Sequence, residues 1–186
     1  MTLPGPGHNN GPTMEKGRAW RRFAWKKARS DLLPTLPIEV ARRRVRRARE
    51  LGIDYKAYAG IRAATGRDIV ALLFSTNALR VAPDLTIASE RAAAVAAVRH
   101  ADLLAMVQPP HDPEAWLQSN ASFLRAERAP GLLQTWRDTR DALLSLTDRL
   151  PPDGVVVIGE THLERGWCDA GRLAGFVPTD RYFGAG

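Results

Sequence analysis

The sequence predicts an α/β protein with a small parallel sheet of three to four strands, preceded by a basic α-helical N-terminal segment. After residue 67, short apolar runs of strand length alternate with amphipathic helices, which is typical of a parallel sheet covered on both faces. Arginine-rich helical patterns dominate the first third instead. We therefore divide the 186 residues into a flexible tail (1–13), a basic helical segment (14–67) and a small α/β domain (68–186).

Net charge differs between these parts of the chain. Residues 1–67 contain 16 Lys/Arg and 5 Asp/Glu, a net of +11, whereas residues 68–186 contain 11 and 15, a net of −4. The basic first third indicates an acidic partner such as nucleic acid, an anionic membrane surface or an acidic protein. Docking of the basic helices on the acidic domain of the same chain explains the asymmetry equally well.

Composition excludes several classes of protein. The single cysteine, Cys168, permits no disulfide within the chain, which favours a reducing compartment. No apolar run approaches the roughly 18 residues that cross a bilayer, and the N-terminus has no pattern of a secretory signal. Arginine outnumbers lysine 23 to 4, as in proteins from GC-rich coding sequences. We expect a cytoplasmic protein of bacterial type without a transmembrane segment.

Three helices are predicted in the basic segment from the period of their apolar residues. The second carries one apolar stripe with six arginines on its other faces, and Gly52 is placed to end it. Asp54 can cap the third helix. The predicted helices span Glu15–Leu33, Ile38–Leu51 and Tyr55–Ala64.

Strands and helices alternate in the remainder of the chain. Strands are predicted over Asp68–Asn77, Asp102–Gln108 and Val155–Gly159, and Phe176–Pro178 can form a short closing strand. Their apolar runs are continuous, as expected for strands that are buried on both faces. Helices are predicted over Ser89–His100, Pro113–Ala126, Gly131–Leu150 and His162–Ala174.

The arginine-rich second helix is the first candidate binding surface. Guanidinium groups pair bidentately with phosphate oxygens, so a cluster of them fits a nucleic-acid backbone. Nearby aromatic residues, including Tyr55 and Tyr58, could stack on exposed bases. The residues singled out for nucleic-acid or partner binding are Arg42, Arg43, Arg44, Arg46 and Arg47, with Trp20 and Trp25 second.

The segment Ala48–Ile61 resembles a helix-turn-helix in outline. That resemblance would place Lys56, Ala57 and Gly60 toward a DNA groove. Arg47 stands at a position that is usually apolar, and the second helix offers few side chains that read bases. A plain pair of helices explains the pattern better.

Polar side chains follow three of the predicted strands. In parallel α/β sheets, ligands bind outside the carboxyl ends of the strands. Side chains there define an alternative function, a small enzyme that acts on a polar or phosphorylated metabolite. Capping of the following helices is the competing explanation for the same residues. The candidate catalytic residues are Ser75, Asn77, Asp112, Glu160 and His162.

Gly159–Glu164, before Ala170–Gly175, resembles the acidic metal-binding motif of the haloacid-dehalogenase-like phosphotransferase superfamily, with Glu in place of Asp. Members of that superfamily carry an Asp-x-Asp nucleophile motif after their first strand. The corresponding place here reads Ser75-Thr76-Asn77, so both carboxylates are missing and the family's covalent phosphoryl chemistry cannot run. The resemblance implies a related sheet with altered or lost catalysis.

No motif assigns a cofactor or a metal. His162 and Cys168 match no zinc-binding pattern, and on one helix they point to different faces. Gly-rich phosphate loops, nucleophile elbows and paired Cys-x-x-Cys motifs do not occur in the sequence. The sequence therefore favours a non-catalytic regulatory or adaptor protein whose basic N-terminal helices contact nucleic acid or an acidic protein partner.

Overall fold

The computed structural model describes residues 37–184, together with the single positions Trp20 and Ala24, which are helical. The predicted tail and all other positions of the helix expected over Glu15–Leu33 lie outside the described residues. Residues Glu39–Gly186 form one compact unit.

Five strands form a single parallel sheet, which confirms the predicted α/β class. The strands are β1 (Ala71–Ser75), β2 (Asp102–Val107), β3 (Arg125–Arg128), β4 (Val155–Gly159) and β5 (Gly175–Pro178). Their order across the sheet is β3-β2-β1-β4-β5. Because β2 lies on one side of β1 and β4 on the other, the direction of winding reverses between β1 and β4.

The prediction of three to four strands is wrong, because the sheet has five. The strand that the sequence did not indicate is β3. A helix was predicted over Pro113–Ala126, but it ends at Ser119, and β3 begins before the predicted end of that helix. β3 is an edge strand that pairs with β2, and its four residues are half-buried or exposed. It therefore lacks the continuous apolar run by which central strands are recognised.

Helices cover both faces of the sheet. Within residues 37–184, two helices precede the sheet, α1 (Ile38–Glu50) and α2 (Tyr55–Thr65). Those that follow are α3 (Thr76–Leu79), α4 (Ser89–Ala97), α5 (Pro113–Ser119), α6 (Trp136–Thr147), α7 (His162–Gly171) and α8 (Thr179–Phe183). Within the described part of the chain, none of these helices has the length and apolar character that crossing a membrane requires.

The core consists of two clusters, one on each face of the sheet. Side chains of β1 alternate between them, with Leu73 in one cluster and Phe74 in the other. α6 and α7 contribute to the first cluster, while Leu51 and Tyr58 join Phe74 in the second. Ala48 of α1 and Tyr58 of α2 are buried in this second cluster, so α1 and α2 cover part of that face of the sheet.

The turn between α1 and α2 is held by α8. Gly52 has φ +68°, and Asp54 caps α2 by accepting from the N–H of Ala57 at 3.0 Å. The hydroxyl of Tyr182 donates to the carbonyl of Leu51 at 3.0 Å. The turn thus requires a left-handed backbone conformation at position 52, where the residue also lies against the buried side chain of Tyr182.

We expect Gly52→Ala to lower the free energy of unfolding by about 1–2 kcal/mol, because alanine resists a left-handed φ. Its Cβ would also lie 3.1 Å from the Tyr182 hydroxyl. Gly60 is a matched control, since it lies inside α2 with open space at its Cβ position. Gly60→Ala should raise stability by about 0.5–1 kcal/mol. Urea denaturation of both variants measures the difference, and equal effects would contradict this account of the turn.

Candidate functional site

Arg47 joins α1 to the amino edge of the sheet. Its guanidinium donates to the carbonyl oxygens of Ile69, Arg99 and His100, at 2.8, 3.2 and 3.0 Å. These carbonyls lie shortly before β1 and β2. The Nε of Arg47 lies 3.4 Å from Asp68 Oδ2, and the side chain is 16% exposed. The charge of Arg47 is therefore engaged in contacts within the domain.

Asp68 holds α2 at the same edge. The Tyr58 hydroxyl donates to Asp68 Oδ1 at 2.8 Å, and Arg62 Nη1 lies 3.3 Å from that oxygen. Burial, followed by the hydrogen bond to Asp68, raises the pKa of Tyr58. Tyr58 is a core residue, 1% exposed, so its ring is not available for stacking on bases.

A groove of about 450 Å³ opens between α1 and α2 beside these contacts. Two acids line it, Glu50 and Asp68, and each lies within 3.4 Å of a guanidinium from Arg47 or Arg62. We call this surface the arginine groove. Its five arginines are Arg43, Arg44, Arg46, Arg47 and Arg62.

Three of these arginines leave positive charge in the arginine groove. Among residues 37–184, Arg43, Arg44 and Arg46 form no ion pair. Arg43 and Arg46 are exposed, and the Nε of Arg44 is buried without a hydrogen-bond partner among residues 37–184. Arg42 does not line the groove and pairs with Glu39 at 2.8 Å on the exposed surface. The unpaired charge of the groove therefore comes from Arg43, Arg44 and Arg46.

The predicted aromatic and groove-facing residues occupy different environments. Trp20 is 71% exposed, whereas Trp25 lies outside the described residues. Tyr55 is 39% exposed at the start of α2. Of the positions suggested by the helix-turn-helix resemblance, Lys56 is exposed and Ala57 packs against the core.

The sheet places the candidate catalytic residues along its carboxyl edge. Ser75 and Asn77 lie at the end of β1, Asp112 follows β2, and Glu160 and His162 follow β4. These three strands are neighbours in the sheet. Ser75 is fully buried, while the other four residues are exposed.

Hydrogen bonds to the backbone occupy several polar groups at this edge. Ser75 Oγ and Asp112 Oδ2 each accept a backbone N–H at 2.9 Å and cap α3 and α5. The hydroxyl of Thr76, which is 3% exposed, accepts from the N–H of Gln108 at 2.9 Å. Capping therefore accounts for the serine and the aspartate, and the backbone N–H after β2 occupies the threonine.

Glu164 fills the space between the ends of β1 and β4. It is fully buried, and its Oε2 accepts from the N–H groups of Glu160 and Thr161 at 2.6 and 2.8 Å. Its Oε1 accepts from the amide of Asn77 at 3.2 Å. The acidic motif singled out in the sequence thus holds the first turn of α7. Across residues 37–184, no group of three or more His, Cys, Asp and Glu side chains is placed to hold a metal ion.

Arg62 and Asp68 are missing from the residues predicted for the binding surface. Arg62 lies on α2 and contacts Asp68, which stands shortly before β1. No spacing in the sequence indicates such a pair. The position of Asp68 directly before an apolar run was the one feature of the sequence that could have indicated it. Comparison with protein-family models, curated proteins and solved structures gives no match to this chain.

We expect Arg47→Gln to lower the free energy of unfolding by about 2 kcal/mol, because three carbonyl oxygens lose a charged donor. Arg43→Gln removes the same charge from an exposed position of α1 and should change stability by less than about 0.5 kcal/mol. Urea denaturation followed by circular dichroism compares the two. Similar losses in both variants would show that Arg47 does not anchor the helix.

We expect Glu164→Ala to lower the free energy of unfolding by about 2 kcal/mol, since two part-buried backbone N–H groups lose their charged acceptor. Glu160→Ala is the control, because Glu160 is exposed and stands four residues away in the same motif. Its effect should stay below about 0.5 kcal/mol. Thermal unfolding of both variants gives the comparison, and a neutral Glu164→Ala would exclude the capping role.

Proposed function

We propose that this chain is a non-catalytic regulatory or adaptor protein whose arginine groove binds the phosphate backbone of a nucleic acid. The observation that carries the proposal is the set of three arginines in one groove without an acidic partner among residues 37–184. Guanidinium groups pair with phosphate oxygens through two parallel N–H donors.

The pairing of charges within the groove supports a phosphate-bearing partner. Arg47 and Arg62 are engaged with Glu50 and Asp68, so the two acids do not neutralise the other three arginines. The remaining charge faces a cavity of about 450 Å³, large enough for part of a nucleotide backbone.

The attachment of α1 supports the same function. Contacts of Arg47 with three carbonyl oxygens fix the helix that carries Arg43 and Arg46. Residues three apart on a helix lie about 5–6 Å apart at Cβ, so these two side chains can contact one strand together. A fixed helix loses less conformational freedom on binding than a mobile one.

A catalytic function at the carboxyl edge of the sheet has weaker support. Ser75 is buried and caps α3, and Glu164 is occupied by backbone N–H groups. A nucleophilic serine needs a base within hydrogen-bond reach, whereas the contact of Ser75 Oγ is with the backbone of Ala78. The exposed groups there, Glu160 and His162, form no triad with it.

We expect the full chain with Arg43, Arg44 and Arg46 changed to Gln to bind nucleic acid at least about tenfold more weakly at low salt. The slope of log affinity against log salt should fall by about 2–3 for duplex DNA, because three phosphate contacts are lost. Fluorescence anisotropy with labelled duplex DNA, single-stranded DNA and RNA across a salt series measures both quantities.

The matched control changes Arg128, Arg137 and Arg140 to Gln, which removes equal charge from exposed positions elsewhere. It should reduce the salt slope by less than the groove variant does. If both variants lower the salt slope equally, the binding depends on net charge alone, and the assignment to the groove is wrong. If the chain binds none of the three nucleic acids at low salt but binds an acidic protein, the partner is a protein and the nucleic-acid assignment is wrong.

A further inference from the structure

A closed turn between β3 and α6 presents two leucine side chains to solvent. Leu132 and Leu133 are 85% and 99% exposed. The N–H of Gln134 donates to the carbonyl of Gly131 at 3.1 Å, and the side-chain oxygen of Gln134 accepts from the N–H of Gly131, also at 3.1 Å. These two hydrogen bonds fix the backbone that carries the leucines, so the two side chains project from a defined position.

The helix that follows extends this exposed apolar surface. Trp136, the first residue of α6, is 60% exposed and comes directly after a capping box formed by Thr135 and Asp138. A single exposed apolar side chain is ordinary, but three within five residues are typical of a surface that associates with a partner. We call Leu132, Leu133 and Trp136 the apolar turn.

A groove of about 340 Å³ lies on the other face of the sheet from α6. The loop before α4, one side of α4 and the segment after α5 form it. Val95 of α4 belongs to the core cluster that contains Phe74, whereas α6 packs in the cluster that contains Leu73. The apolar turn of a chain is therefore not part of the groove of the same chain. We call this surface the apolar groove, after its lining residues Leu85, Ile87, Ala92, Val95 and Ala96.

The apolar groove matches the apolar turn in size and in charge. A cavity of about 150 Å³ accommodates roughly one large apolar side chain, so the groove has room for both leucines. Among residues 37–184, Asp84 is the one charged residue that lines the groove, and it forms no ion pair. Arg137 directly follows the apolar turn, and its side chain is 89% exposed with a loose contact of 3.8 Å to Asp141. An arginine beside the turn thus complements an aspartate beside the groove.

The charge around the apolar turn favours a protein over a lipid surface. Residues 125–141 contain four arginines and three acidic residues, so their charges nearly cancel. A short apolar segment binds a membrane stably only with a second signal such as a polybasic patch. The surroundings of the apolar turn supply no such patch, and a protein groove of apolar side chains suits it better.

We propose that the apolar turn of one copy of this chain inserts into the apolar groove of a second copy. Each copy carries both surfaces, so the contact is exchanged in a closed dimer or repeats from copy to copy. Burial of the leucine and tryptophan side chains supplies the affinity, and the pair of Arg137 with Asp84 orients the two copies. The proposal does not rest on the nucleic-acid function, because neither surface includes a residue of the arginine groove.

The test is sedimentation velocity of the full chain over a range of concentrations, after bound nucleic acid has been removed at high salt. We expect association that increases with concentration. A turn variant, with Leu132→Asp and Leu133→Asp, and a groove variant, Ala96→Arg, should each weaken the association at least about tenfold. A carboxylate is costly to bury in the groove, and an arginine side chain fills it. All three positions are exposed, so both variants are expected to fold.

Two substitutions outside the contact are matched controls. Leu163→Asp introduces the same charge at an exposed leucine of α7. Ala97→Arg introduces the same side chain at an exposed position of α4 that does not line the groove. Each should change the association by less than about twofold. A loss in Ala97→Arg as large as in Ala96→Arg would overturn the assignment to the groove.

A mixture of the turn variant and the groove variant tests the pairing of the two surfaces directly. The first keeps an intact groove and the second an intact turn, so the mixture should form a dimer with one copy of each, although neither variant associates alone. A full chain that stays monomeric at every concentration, or a mixture that forms no such dimer, would overturn the proposal. Binding of the monomeric full chain, but not of the turn variant, to vesicles of phosphatidylcholine and phosphatidylserine would assign the turn to a lipid surface instead.

Discussion

The arginine groove depends on the contact between Arg47 and the amino edge of the sheet. Peptide carbonyls just before a parallel strand lie outside the strand ladder and take their hydrogen bonds from other donors. Arg47 satisfies three of them with one side chain and at the same time fixes α1. A helix with six arginines would otherwise have little apolar surface to hold it on a core, since Ala48 is its one buried residue.

The elements with strong local signals could be predicted from the sequence, and those formed by tertiary contacts could not. Val155–Gly159 is a strand with the predicted bounds, because its short, continuous apolar run is typical of a buried strand. The helix over Tyr55–Thr65 also follows its cap, Asp54, and its terminating glycine. β3 had no signal, because an edge strand of arginine, alanine and glutamate is stabilised by its pairing with β2. The order of the strands, in which the direction of winding reverses between β1 and β4, also depends on pairing between strands.

The candidate sites divide in a similar way. A cluster of arginines on α1 is visible in the sequence, but the contacts decide which of them have partners. Arg47 and Arg43 are chemically identical and four residues apart, yet only Arg47 reaches carbonyl oxygens of the sheet. Arg91, which follows Glu90 and precedes a run of alanines, was not singled out in the sequence. Its burial beside Phe183 comes from tertiary contacts alone.

Net charge, the main functional signal in the sequence, describes these surfaces poorly. The α/β domain carries a net of −4, and yet an arginine buried within it forms no ion pair with residues 37–184. The basic segment carries +11, and yet part of that charge is used to attach helices to the sheet. Electrostatic energy depends on distance and on local dielectric far more than on totals, so burial and pairing decide where an anion is held. The aromatic side chains of Phe74, Tyr182 and Phe183 pack together; Tyr182 contacts the turn after α1, and Phe183 contacts Arg91. The turn after α1 and the buried Arg91 therefore pack against one aromatic cluster.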